Sequence, residues 1–332
     1  MRVREERPRL ADRSRGITVR NVRPVPLATP AHAGDLPGYL RALRRLADAD
    51  DLGTAYAGCT IALEVAGRED DGTGLAMAYS QRSSVARRLG DLPAARGDAE
   101  AAAELLGTSG VPEDSAVAAL LLSRRLAVLL DLGDTAGADR LLAASTLAAE
   151  LPDEPEFLLL RYVRGCLHAA SARLGEGLAD LYHCGERLAA RRSDRPSILP
   201  WRSAAAAVLH RLGAAEAAER LVAEEIALAR VAGLASALGR ALRVQGQIRA
   251  GEPGLAAAEE SVRVLQNTPR RFELATALVD LGGLLNAARR RAQARRVLRD
   301  GLELAEECGS PGLVARAKRS YGGKGSGPQS LG

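Results

Sequence analysis

The sequence predicts an all-α fold, an α-solenoid of about seven stacked helical hairpins, and three observations lead to it. A helical pattern breaks and restarts seven times, most often at a Leu-Gly pair. The intervals between successive breaks are 37, 43, 42, 38, 38 and 38 residues. A small residue stands five positions after six of the seven breaks. The breaks fall at Gly53, Gly90, Gly133, Gly175, Gly213, Gly251 and Arg289.

Each of these features has a structural reason. A glycine lets the chain leave a helix through a backbone conformation with positive φ. A small residue one turn into the next helix lets the two helix backbones lie close together. Repeats of this length are typical of somewhat long tetratricopeptide-like (TPR-like) units, and we expect them to wind into a right-handed superhelix. The small residues are Gly58, Ala95, Ala138, Ala218, Ala256 and Ala294, with Asp180 as the exception.

Apolar stripes and stop signals justify the hairpins in order. In the first hairpin the two stripes are Leu36, Leu40, Leu43 and Ala47, and then Ala55, Cys59, Ala62 and Ala66. The other helix pairs are expected over 75–89 and 92–106, 115–132 and 135–149, 156–174 and 177–191, 201–212 and 215–231, 236–249 and 253–266, and 272–288 and 291–307. Prolines separate the third, fourth and fifth hairpins and precede the seventh. A last apolar turn is expected at Leu313, Val314 and Ala317.

Charge divides the chain into three segments. Residues 1–23 carry eight arginines and three acidic residues, a net charge of +5. The whole chain has the same net charge, so residues 24–332 have a net charge of zero. We therefore expect a disordered basic arm over 1–34, the solenoid over 35–319 and a disordered glycine-rich tail over 320–332. A neutral body is unsuited to general polyanion binding, although the basic arm offers an alternative reading as a nucleic-acid contact.

Compartment follows from two further features. The longest apolar run, 116–122, is far too short to cross a bilayer. The four cysteines, Cys59, Cys166, Cys184 and Cys308, are dispersed, as expected of reduced thiols in a cytoplasm. The sequence therefore predicts a cytoplasmic protein that does not contact a membrane.

From about residue 158 to 319, several segments in this order resemble a known family. They are Glu176-Gly177-Leu178-Ala179-Asp180-Leu181, Pro200-Trp201-Arg202-Ser203, the run 220–230, Glu273-Leu274-Ala275-Thr276-Ala277-Leu278, and Ala292-Gln293-Ala294-Arg295. The family is the large ATP-binding regulators of the LuxR type, which are actinobacterial transcription factors. The resemblance implies a helical repeat arm between an N-terminal P-loop ATPase and a C-terminal helix-turn-helix domain.

Neither of those two domains is recognisable in the sequence. The single Gly-Lys pair, Gly323-Lys324, lacks the other residues of a P-loop. We therefore expect a non-catalytic sensor or protein-interaction arm of a LuxR-type regulator, truncated or separated from its ATPase and DNA-binding domains. The alternative is a stand-alone TPR-like scaffold that binds a peptide or a partner protein.

The sequence offers little for catalysis or metal binding. Cys166, His168, His183 and Cys184 fall in one hairpin, but helical spacing places at most two of them on one face. No H-E-x-x-H or G-x-S-x-G motif occurs. We therefore predict no enzyme activity, no metal site and no cofactor.

A partner groove is predicted on the first helices of the fifth and sixth repeats, which we expect to line the concave side. Its residues are Trp201, Arg202, Arg240, Arg243 and Gln247. We expect the groove to be locally positive because acids such as Glu216, Glu219, Glu224 and Glu225 fall on second helices. A protein partner or a small effector is expected there, and no nucleic acid for this chain alone. The alternative is that Trp201 is buried between repeats and the arginines are solvated.

Overall fold

The computed structural model describes residues 29–148, 151–191 and 193–322. Within these ranges every regular element is a helix, and none is a strand. The helices are α1 (Leu36–Asp48), α2 (Leu52–Arg68), α3 (Gly72–Leu89), α4 (Leu92–Thr108), α5 (Ala116–Leu132), α6 (Thr135–Ala143), α7 (Leu158–Ala170), α8 (Leu174–Ala190), α9 (Trp201–Arg211), α10 (Ala215–Val231), α11 (Ala235–Ile248), α12 (Gly251–Leu265), α13 (Arg271–Ala287), α14 (Arg291–Glu307) and α15 (Pro311–Tyr321). Short 3₁₀ helices at Ala33–Asp35 and Pro155–Phe157 precede α1 and α7. The all-α prediction is confirmed.

Consecutive helices pair into seven hairpins, from α1 with α2 to α13 with α14, and α15 packs on the last pair. The odd-numbered helices α1–α13 are the first helices of the hairpins, and the even-numbered ones are the second helices. First helices also contact the first helices of neighbouring hairpins, as between α1 and α3, α9 and α11, or α11 and α13. Each hairpin buries its apolar face on its neighbours, which makes the molecule an α-solenoid.

Four of the predicted breaks are turns with positive φ. The values are +90° at Gly90, +82° at Gly133, +79° at Gly213 and +60° at Arg289. Gly251, with φ of +68°, is the first residue of α12. Arg289 adopts this conformation without being glycine, so the repeat pattern rather than residue type located that turn.

Two predicted breaks are wrong by three residues. Gly53 and Gly175 lie inside α2 and α8, and the turns are at Asp50 and Ala172, each with φ of 63°. Left-handed backbone costs a non-glycine residue roughly 1–2 kcal/mol, and packing of the flanking helices imposes it here. With the corrected turn, Gly177 stands five residues after the fourth break, so the apparent exception at Asp180 disappears.

Close helix packing explains the small residues. Ala95, Ala138, Ala218 and Ala294 are completely buried. Ala256, by contrast, is exposed. In that hairpin Gly254 makes the close approach, because a Cβ at Gly254 would lie 2.9 Å from the Gly246 carbonyl oxygen. A larger side chain at the buried positions would push paired helices apart.

Some expected boundaries also change. The second helix of the third hairpin ends at Ala143 rather than at 149. The predicted last apolar turn is a full helix, α15, which continues to Tyr321, two residues past the expected end of the solenoid. Residues 1–28 of the predicted arm and 323–332 of the predicted tail lie outside the described residues. No helix in the described part is both long and apolar enough to cross a membrane.

The second and third hairpins touch the end of the solenoid. The Leu92 amide donates to the Cys308 carbonyl at 3.3 Å, and Ser310 Oγ donates to the Asp131 carbonyl at 2.6 Å. Arg270, just before α13, donates to Asp50 Oδ1 through Nε at 2.8 Å and Nη2 at 2.7 Å. Helices α3 and α13 are in contact, and so are α5 and α15. The superhelix therefore closes on itself within one turn.

Candidate partner-binding interior

First helices of distant hairpins converge on one inner surface, which we call the interior. Burial alone would raise the pKa of Glu273 on α13, but the charges of Arg240, Arg270 and Arg87 outweigh burial and lower it. Arg87 lies on α3 and Arg240 on α11, far apart in sequence. Arg240 donates to Glu273 at 3.1 Å, and Arg87 is near enough for its charge to act on Glu273, so α3, α11 and α13 face one inner surface.

Ion pairs between first helices run along the interior. Their shortest N–O distances are 3.1 Å for Arg88–Asp48, 2.7 Å for Arg87–Asp131, 3.1 Å for Arg240–Glu273 and 2.7 Å for Arg243–Asp280. Most of these side chains retain some exposure, up to 31% for Arg87. Solvent therefore reaches the charged side chains of the interior.

Trp201 does not offer a binding platform. It is only 8% exposed at the start of α9, and its ring packs against Gly185, where a Cβ would come within 2.6 Å of the indole. Trp201 Nε1 donates to Asp194 Oδ1 at 3.2 Å, and the Arg202 guanidinium covers the ring at 4.6 Å from its centroid. The indole is a packing element between repeats.

Arg202 is neutralised by its neighbours. Its Nη2 and Nη1 donate to the two oxygens of Asp194 at 2.6 and 2.9 Å, and its Nε donates to Glu224 at 3.2 Å. Burial works to lower the Arg202 pKa, but the bonds to Asp194 and Glu224 prevail and raise it. The guanidinium therefore stays charged and engaged inside the protein.

Arg240, Arg243 and Gln247 lie on the interior, each bonded to α13. Arg240 donates to Glu273 Oε1 and to the Pro196 carbonyl, both at 3.1 Å. Arg243 and Gln247 both donate to Asp280 Oδ2 at 2.7 Å. Acids are not confined to the second helices, because Glu273 and Asp280 on α13, a first helix, pair with Arg240 and Arg243. Whether the groove is positive overall stays a prediction, since Asp280 also pairs with Arg316 and Glu273 with Arg270.

A cluster of arginines lies elsewhere, on the first helices of the first three hairpins. Arg124 on α5 has a buried Nε with no hydrogen-bond partner. Burial lowers its pKa well below the usual value, and the charges of Arg88, Arg44 and Arg87 lower it further. Burial also lowers the pKa of Arg88 to about 10, with Arg270 contributing next. Sequence analysis missed this cluster, whose only sequence signal is arginine on consecutive first helices.

Two equivalent pairs show that some charges are structural. Arg82 binds Asp98 and Arg164 binds Asp180, each through two bonds of 2.7 and 2.8 Å. In both hairpins the arginine stands eight residues before the turn and the aspartate eight after it. These pairs tie the first helix of a hairpin to its second helix.

The residues considered for a metal site have separate neighbours. His183 Nε2 lies 2.7 Å from Asp153, while His168 Nδ1 lies 3.7 Å from Asp180. Burial raises the pKa of Cys184 to about 12 and that of Cys166 to about 11, so both thiols stay protonated. Throughout the described ranges no three His, Cys, Asp or Glu side chains cluster as metal ligands would.

The comparisons with known proteins support the fold alone. A Rap protein in complex with competence and sporulation factor is similar over 82% of this chain and 76% of its own, with a TM-score of 0.67 and 12% identity. A tetratricopeptide repeat protein from Parabacteroides merdae ATCC 43184 covers 86% of this chain and 99% of its own, at 16% identity, but its TM-score of 0.44 carries no argument. No protein-family model matches the chain, and no curated protein matches it. The comparisons therefore lend no support to the LuxR-type resemblance.

Proposed function

We propose that the protein is a TPR-like scaffold that holds a peptide or an extended segment of a partner protein in its interior. The observation that carries the proposal is the interior itself, where charged side chains from distant hairpins converge and stay open to solvent. The fold likeness to a Rap protein in complex with a factor adds support.

The chemistry of the interior suits a polypeptide. Arginine, glutamine, aspartate and glutamate side chains supply donors and acceptors for backbone amides and for charged side chains. Because the first helices are packed rigidly side by side, these groups are already positioned, and little ordering is needed on binding. Arg240, Arg243 and Gln247 belong to this proposed surface, whereas Trp201 supports it from the core.

A sensor arm of a LuxR-type regulator is the second candidate. The observation that favours it is the sequence resemblance over residues 158–319. Both candidates bind a partner in the interior. In the second candidate, the bound scaffold would also signal to the ATPase and DNA-binding domains of a regulator. The binding experiment below therefore applies to both.

A selection experiment tests the proposal. A phage-displayed library of random peptides is panned on the wild-type protein, and enriched peptides are measured against two double variants. Arg240→Gln with Arg243→Gln removes two interior charges, while Arg295→Gln with Arg299→Gln removes two exposed charges from α14 as a matched control. Helical content by circular dichroism checks that both variants fold.

We expect enriched peptides that bind the wild type and the α14 control alike and lose affinity for the interior variant. Failure to enrich any peptide on the wild type contradicts the proposal. Equal binding to both double variants contradicts the placement near Arg240 and Arg243.

A further inference from the structure

We infer that the interior of the first three hairpins holds a carboxylate of the bound polypeptide, with Arg124 as its main ligand and Arg88 and Arg44 beside it. The inference rests on the proposed function and adds the chemistry of the partner. It assigns an acidic residue or a free C-terminus to the segment that lies against α1, α3 and α5.

The first step is the missing partner of Arg124. Each arginine of the four interior ion pairs binds a carboxylate at 2.7–3.1 Å. These arginines are Arg87, Arg88, Arg240 and Arg243. Arg124 makes no hydrogen bond or ion pair with any residue in the described ranges, and its Nε is shielded from solvent. A shielded guanidinium N–H without an acceptor is unfavourable, and most such groups in proteins are paired.

The second step is the surrounding charge. Burial lowers the pKa of Arg124 most, the charges of Arg88, Arg44 and Arg87 lower it further, and the charge of Asp48 opposes them. Asp48 already accepts from Arg88 at 3.1 Å, and Asp131 accepts from Arg87 at 2.7 Å. The carboxylates of the cluster are therefore engaged, and the positive charge of Arg124 is left over.

The third step is the nature of the anion. A guanidinium presents a planar fork of donors that matches a carboxylate, and burial strengthens such a bond. The Arg87–Asp131 and Arg88–Asp48 pairs show that a carboxylate fits between first helices at this spacing. A carboxylate on the partner would complete the same arrangement at Arg124.

The fourth step is continuity with the rest of the interior. Arg87 is close enough to Tyr162 on α7 and Glu273 on α13 for both to act on its pKa, though burial is the largest influence on it. Burial is again the largest influence on the pKa of Arg240, and the charges of Glu273 and Tyr162 act on it as well. The arginine cluster around Arg124 therefore borders the surface that the proposed function uses.

Fluorescence anisotropy with defined probes tests the inference. The labelled probes are hexaglutamate with both ends blocked, hexaglutamine with both ends blocked, and hexaglutamine with a free C-terminus. The proteins are the wild type, Arg124→Gln, and Arg296→Gln as a control at an exposed position of α14. Inorganic phosphate serves as a competitor.

Hexaglutamate should bind the wild type and the control, and Arg124→Gln should weaken it about tenfold or more, the usual weight of a hydrogen bond to a charged group. If the free-C-terminus probe shows this loss instead, the carboxylate is a chain end. Equal binding of all three probes to the wild type, or the absence of a loss in Arg124→Gln for both carboxylate-bearing probes, overturns the inference. Phosphate competing as well as hexaglutamate overturns the carboxylate assignment.

The ligand-free protein gives an independent readout. Since Arg124 is repelled and unpaired, Arg124→Gln should raise the melting temperature of the free protein relative to Arg296→Gln. A fall instead means that Arg124 has a partner within the chain and overturns the inference. If library peptides bind but ignore Arg124, only this inference fails; if no peptide binds, the proposed function fails as well.

Discussion

Replacing Gly312 with alanine should weaken the contact that closes the superhelix. Gly312 lies in the first turn of α15, against the turn at the end of α5. A Cβ at Gly312 would stand 2.6 Å from Gly133 Cα and 2.9 Å from the Leu132 carbonyl oxygen. Both neighbours are backbone atoms, so relief requires a shift of a whole helix rather than of a side chain.

The magnitude follows from two opposing effects. Overpacking a tight contact costs about 1–3 kcal/mol. Alanine in a helix returns roughly 0.5–1 kcal/mol relative to glycine. Because the obstructing atoms are backbone, the cost falls in the upper part of its range, and we expect a net loss of about 1–2 kcal/mol in the free energy of unfolding.

Urea denaturation followed by circular dichroism measures this difference. Gly283→Ala is the matched control, because Gly283 lies within α13 and an added Cβ there meets nothing within 4 Å. The free energy of unfolding of the control should rise by about 0.5–1 kcal/mol. If Gly312→Ala is as stable as Gly283→Ala, then α15 does not pack against α5 and the closed superhelix is wrong.

Three further predictions concern the core. Ala218→Leu should lower the free energy of unfolding by about 1–3 kcal/mol through overpacking, because Ala218 is completely buried. A loss below about 0.5 kcal/mol in thermal denaturation would place Ala218 on the surface. Burial raises the pKa of Glu225, so the stability it contributes is full below the ordinary pKa of 4.5 and is lost as pH rises through its folded value. As pH rises above 4.5, urea midpoints should therefore fall more in the wild type than in Glu225→Gln, and equal slopes would contradict the burial effect. Burial raises the pKa of Cys59 to about 12 and that of Cys308 to about 11. Thiol reagents at pH 8 should therefore react slowly with these cysteines in the native protein and quickly in urea. Rapid labelling of the native protein would refute this.

The repeat pattern predicted most of the fold because local rules decide it. Left-handed glycines at Gly90, Gly133 and Gly213 and buried alanines such as Ala95 are requirements of each hairpin alone. Asp50 and Ala172 escaped prediction because neither is a glycine, the residue type by which the left-handed turns were located. Arg289 was found only because the period located it.

The interior was harder to predict because it depends on contacts between distant hairpins. Arg270 and Asp50 are 220 residues apart and meet only because the superhelix closes within one turn. Small angles between hairpins, summed over the stack, fix that closure, and no short motif encodes it. For the same reason sequence analysis did not find that Glu273 and Asp280 neutralise Arg240 and Arg243, or that Arg124 is left unpaired.

Photo-crosslinking tests the central claim, that the interior binds a polypeptide segment, most directly. A library-selected peptide carrying a benzophenone group is irradiated with the wild-type protein, and the modified residues are located by mass spectrometry. The account predicts crosslinks on the first helices, chiefly α3, α5, α11 and α13, and their suppression by excess unlabelled peptide. Competable crosslinks confined to the second helices, such as the exposed face of α14, would contradict it.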